Sequence, residues 1–157
     1  MPDIVVLYNP DNTAIAGCDR GLRRLLDRCA WLTLENWSSE GLSIYAMGHQ
    51  YGFHRRSSDK SGRHLILSGD ILRDDVEERA GGLGKNRYLC DDSFFNILFN
   101  LWDQKGLESL CGLNGRYSLF CWDEKMRELG VATDFFGNRH VYYLQTDRHF
   151  AISTNLS

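Results

Sequence analysis

Five cysteines, at positions 18, 29, 90, 111 and 121, and five histidines, at 49, 54, 64, 140 and 149, have the most to offer catalysis or a metal in this 157-residue sequence. A thiolate can attack a carbonyl, and an imidazole can carry a proton or hold a metal. Their spacing supports neither use. There is no C-x-x-C pair and no histidine at finger-like distance from a cysteine, so no metal and no cofactor is expected. No G-x-S-x-G elbow and no H-E-x-x-H pair is present. Gly84-Lys85 is not a phosphate loop, because Arg79 and Asn86 stand where that loop needs a glycine and a hydroxyl. In a reducing compartment the cysteines read as small buried apolar side chains, best for Cys29 and Cys121 inside their apolar runs. The histidines, scattered over loops and strand ends, read as polar surface residues.

The elements that must position any site follow from pattern. Ile4 to Tyr8 is β-branched and aromatic and closes on Asn9-Pro10-Asp11-Asn12, which predicts a short buried strand. Apolar residues at 22, 25, 26 and 29 predict a helix from Asp19 to Trp31 with its arginines on a solvated face. Leu42 to Met47 and His64 to Leu67 read as strands, separated by a hairpin loop or mobile connection at 54–63. Residues 73–87 read as a short helix or turn and then a glycine-rich loop. The strongest helix runs from Ser93 to Lys105, with Asp91, Asp92 or Ser93 as N-cap and Gly106 just beyond its end. Phe94, Phe95, Ile97, Leu98, Leu101 and Trp102 spread widely around it, so it must pack on a sheet. Four β-like runs follow, at Tyr117–Trp122, Leu129–Thr133, His140–Leu144 and His149–Ser153, and predict an antiparallel meander. The order predicts an α+β fold.

Length and composition set the outer limits. At 157 residues, 43% hydrophobic and 25% charged, with two prolines, the chain reads as one globular domain, 1–157. A net charge of -3 gives no polycationic surface, so nucleic acid is not an expected partner. No apolar run reaches the roughly 20 residues of a spanning helix and MPDIVVLYNP does not read as a signal peptide. No membrane partner is expected, and the expected location is cytoplasmic.

Several segments, taken in order, resemble the glutamine amidotransferase domain of asparagine synthetase, a class II domain of the N-terminal nucleophile (Ntn) hydrolases. LNGRYSLFCWDEKMRELGVATDFFGNRHVYYLQTDRHFAIST, at 113–154, is similar to that family's L-x-G-x-F-A-F-x-x-W-D, strand, A-R-D-x-x-G-x-x-P-L-Y-Y and F-A-S-E run. CDDSFFNILFNLWDQKG at 90–106 resembles the S-D-x-E helix. LILSGDIL at 65–72 resembles the N-G-E-I strand and turn, and EGLSI at 40–44 resembles R-L-S-I.

The resemblance implies an αββα sandwich, two mostly antiparallel sheets between helical layers. It also implies glutamine cleavage by an N-terminal cysteine whose own amine serves as base, with nearby donors holding the oxyanion. Here the start is Met1-Pro2-Asp3-Ile4 where the family has Met-Cys-Gly-Ile, so Pro2 occupies the nucleophile position. The family's carboxylate-gripping arginine falls on Gly41, and its oxyanion asparagine on Ser68. Gly69, Asp70 and Asp91 keep positions that shape the pocket and bind the amino end of glutamine. Each also has a plainer use: Gly69 in a strand-ending turn, Asp70 capping that turn, Asp91 capping the next helix. Cleavage between Gly17 and Cys18 would expose a new N-terminal thiol, but the polar DRGLRRLL that follows is not the apolar strand that carries such a nucleophile. The expected catalytic set is therefore empty, and the expectation leans against an enzyme.

The resemblance extends to β-lactam synthetases, which lack the cysteine and keep the fold, and to lasso-peptide cyclases. It implies a degenerate domain that supports or regulates an ATP-dependent amide-forming synthetase domain or subunit, whose S-G-G-x-D-S stretch is not in this sequence. A homo-oligomer is left open as a further partner. The competing readings are a working amidotransferase with an unconventional nucleophile and a free-standing interaction domain.

Overall fold

The computed structural model describes residues 3–8, 32–39, 42–49, 54–81, 92–147 and 150–154. The helix expected over 19–31, Cys18, Cys29 and Cys90 lie outside them. The chain divides into two compact units, one of Met1–His54 and Val141–Ser157, the other of Arg55–His140.

The first unit holds a five-stranded antiparallel sheet in the order β2-β3-β1-β9-β8. Its strands are β1 (Asp3–Tyr8), β2 (Leu32–Ser39), β3 (Leu42–His49), β8 (Tyr142–Gln145) and β9 (Phe150–Ser153). The apolar run at the N-terminus takes an inner position, as its β-branched residues favour, with Val6 paired to Ile44 on one side and Ile152 on the other. All three are buried. Sequence pattern gave no signal for β2, whose LTLENWSS loses its alternation after Leu34; it forms as the edge strand of a hairpin with β3.

The second unit carries a four-stranded sheet ordered β4-β5-β6-β7. Its strands are β4 (His54–Ser58), β5 (Arg63–Ile71), β6 (Gly115–Asp123) and β7 (Glu128–Thr133). Around it lie α1 (Arg73–Arg79), α2 (Asp92–Lys105) and a 3-10 turn at Leu107–Leu110. The connection expected at 54–63 is instead an edge strand and a tight turn, since an edge strand can be polar throughout. Asp59 builds that turn: its carboxylate accepts from the Ser61 and Arg63 amides at 2.9 Å each.

The expected α2 is present, and Gly106 ends it with φ 77° and its N–H donating to the Trp102 carbonyl at 2.9 Å. Phe94, Leu98 and Leu101 are buried and Trp102 half-buried in one cluster with Leu65, Leu67, Leu119 and Cys121. Those strand residues lie in register, Leu65 opposite Cys121 and Leu67 opposite Leu119, so they share one face. Arg63 fastens the helix to the strand. It bonds Asp103 of α2 at 2.6 Å and pairs with Asp59, while its guanidinium lies 5.2 Å from the Trp102 ring and 5.8 Å from Phe99.

The four C-terminal strands do not form one meander. β6 and β7 pair in one sheet and β8 and β9 in the other. The cause is the segment after β7, which folds around Asp134 instead of turning straight back as a hairpin. Two other expectations need correcting. His64 is buried, not on the surface, with Nδ1 2.7 Å from Ser58 Oγ and Nε2 3.0 Å from Glu124. Cys111 is exposed, while Cys121 is buried as expected, its thiol pushed up by burial. No described helix is long and apolar enough to cross a membrane.

Candidate functional site

Of the residues the resemblance singles out, Ser68, Gly69 and Asp70 are described and stand consecutively near the end of β5; Pro2, Gly41 and Asp91 lie outside the described residues. β5 is buried along most of its length on both faces, so the side chains opposite α2 are also out of solvent. That second face reads, along β5 and β6, His64 opposite Trp122, Ile66 opposite Phe120, Ser68 opposite Ser118, and Asp70 opposite Arg116. On β7, Thr133 continues the row from Ser118. Ser68 and Ser118 are fully buried, whereas Asp70 and Arg116 are exposed. From Ile66 and Phe120 onward the row thus passes from apolar to hydroxyl to charged toward the end of β5.

Gly69 is not in a strand-ending turn, because β5 continues through Ile71. Its φ is +98°, a conformation that side chains rarely adopt, and an added Cβ would collide with the Arg116 carbonyl oxygen. Asp70 accordingly caps no turn; it faces Arg116 across the strands.

Sequence reasoning missed the two residues that complete this corner. Asp134 is 3% exposed and directly follows the last residue of β7. Its Oδ1 accepts from Phe136 N and Asn138 N at 3.1 Å each and from Asn138 Nδ2 at 2.9 Å, while Oδ2 accepts from Arg139 N at 3.3 Å. Its own N–H donates to the Tyr117 carbonyl at 3.2 Å, fixing the loop to β6. Burial alone would raise the Asp134 carboxyl, but the donors from Asn138, Arg139 and Phe136 outweigh it and hold its pKa below the ordinary value. The loop so formed carries Arg139 back to β5, where Nη1 donates to Ser68 Oγ at 3.3 Å. The signal for the loop was present, since D-x-x-G-N is a turn sequence in which aspartate bonds the following amides. Nothing in the sequence paired Arg139 with Ser68.

The arrangement can hold negative charge: a half-buried guanidinium, buried hydroxyls and no described nucleophile. Cys121 lies on the opposite face, in register with Leu65, and its raised thiol is neutral near pH 7. The first unit has its own recess of about 290 Å³, lined among the described residues by Trp37, Ser38, Ser43 and Tyr45, which offer hydroxyls and an indole.

The chain is similar to Amidase chry2 of Gibberella zeae, 24% identical over 98 residues, which are 62% of this chain and 14% of that protein. It is also 24% identical over 105 residues to the protein named, as a candidate, glutamine-hydrolyzing asparagine synthetase 1 of Methanocaldococcus jannaschii, covering 67% of this chain and 18% of that one. The chain therefore spans less than a fifth of the length of these curated relatives. Residues 57–157, close to two-thirds of the sequence and all of β5 to β9, match the family described as glutamine amidotransferase domain. With its two antiparallel sheets and its relation to asparagine synthetase, the chain belongs to the glutamine amidotransferase domain family.

Proposed function

We propose that this chain is a non-catalytic glutaminase-like domain that supports or regulates an ATP-dependent amide-forming synthetase or cyclase module. The observation that carries the reading is Ser68. It stands where the resemblance places an oxyanion-holding asparagine, and its buried side chain offers a single O–H on a shorter stem in place of that residue's amide NH2. Loss of one such donor alone costs about a hundredfold to a thousandfold in rate. Pro2 at the nucleophile position and Gly41 at the carboxylate-gripping position agree with it. An αββα stacking of the two sheets, a cytoplasmic location and the partner module belong to the same reading, the last supported by the synthetase named among the relatives.

The names of those relatives, one an amidase and one glutamine-hydrolyzing, also favour a second reading: an active amidotransferase with an unconventional nucleophile, for which the sequence offers Cys18 behind Ala16-Gly17. Labelling with an electrophilic diazoketone analogue of glutamine separates the two. The non-catalytic domain takes up no adduct at its N-terminal residue or at Cys18 by peptide mass mapping. A stoichiometric adduct on Cys18, prevented by glutamine, restores the hydrolase.

A further inference from the structure

The second unit contains a cation that its described residues do not neutralise. Arg139 is half-buried, and of its five side-chain N–H donors one hydrogen bond is seen, to Ser68 Oγ. No described carboxylate forms an ion pair with it. Asp134, five residues before it, directs both oxygens at the loop amides and Asn138. Asp70 shares the face of Ser68 but is exposed and stands opposite Arg116.

A second, independent observation lies next to it. Ser118 is fully buried and in direct register with Ser68, and its Oγ has no hydrogen-bond partner among the described residues. Buried hydroxyls are ordinarily bonded, so an open one beside a cation marks a place for a ligand atom. Gly69 lets the guanidinium lie close against β5: a Cβ there would stand 3.2 Å from Nε of Arg139.

We propose that Arg139, with the hydroxyls of Ser68 and Ser118, forms a binding site for a small carboxylate anion. The guanidinium presents a planar fork that fits a carboxylate edge-on, and the two serines can turn their O–H bonds toward it. The Asp134 loop fixes the backbone of Arg139 before the ligand arrives, which lowers the ordering cost of binding. The inference stands on the geometry of this unit and holds whether or not the domain hydrolyses glutamine.

The test is a titration of the ¹⁵N-labelled full chain with sodium acetate, followed by NMR at constant ionic strength, with sodium phosphate and sodium chloride as separate arms. The site predicts saturable shifts at the Arg139 side-chain Nε–H and at the Gly69 and Ser118 amides with acetate. Arg139→Gln weakens the affinity about tenfold or more, Arg139→Lys less, and Ser118→Ala less again. Circular dichroism confirms that each variant folds. Should Arg139→Gln not fold, the Nε–H signal of the unaltered chain and the Ser118→Ala variant still decide the matter. No saturable shift at Arg139, an unchanged response in a folded Arg139→Gln variant, or a response to phosphate or chloride without one to acetate would each overturn the proposal.

Discussion

Leu65, Leu67, Leu119 and Cys121 on one face of the β4–β7 sheet, and Ser68 and Ser118 on the other, alternate along the same two strands and are all buried, yet they meet different neighbours. The first set is held by α2 in a continuous apolar cluster. The second meets a guanidinium and, at Ser118, an unused hydroxyl. Burial by itself therefore does not tell a packing face from a ligand face. What separates them is whether each buried group already has what its chemistry requires.

The largest expected effect lies on the packing face. Leu98→Ala removes a fully buried side chain from the cluster and should cost about 2 to 5 kcal/mol in denaturant unfolding. A loss below about 0.5 kcal/mol would show that α2 is not the helix that covers this face. Next comes Gly69→Ala, at about 1 to 3 kcal/mol, from the positive φ and the collision with the Arg116 carbonyl. A neutral outcome there would mean that β5 does not approach β6 as closely as described.

Acid should also strip the site's support. Asp134 has a folded pKa below its ordinary value of about 4, so its contribution is present above that pH and is lost as pH falls through the lower folded value. Asp59, also held low once the donors from Arg63 and Ser61 outweigh burial, behaves in the same way. Asp134→Asn should flatten the fall in stability below about pH 4; equal slopes in the two proteins would contradict the loop geometry. The smallest effect is Ser118→Ala, expected within about 0.5 kcal/mol because no bond is lost. A clear destabilisation would place Ser118 on a packing face after all.

How far the sequence revealed this differs from element to element. α2 was legible because its apolar positions and Gly106 state its span and its end in local terms. β2 and β4 were not, since polar edge strands are held by backbone bonds to partners that no local pattern names. The four C-terminal strands were each visible, but their division between two sheets depends on how the Asp134 carboxylate closes the loop after β7. Ser68, Gly69 and Asp70 were singled out through resemblance alone, whereas Arg139 reaches Ser68 across 71 positions of sequence. Contacts of that range are made by tertiary structure and leave no spacing to read.

The proposal that the domain does not hydrolyse glutamine is tested by ammonia release from glutamine by the purified chain, compared with Cys18→Ala and with mass analysis of the N-terminus. A non-catalytic domain gives release indistinguishable from the uncatalysed background in both proteins. Robust turnover by the unaltered chain that disappears in Cys18→Ala, with an N-terminus beginning at Cys18, would contradict it.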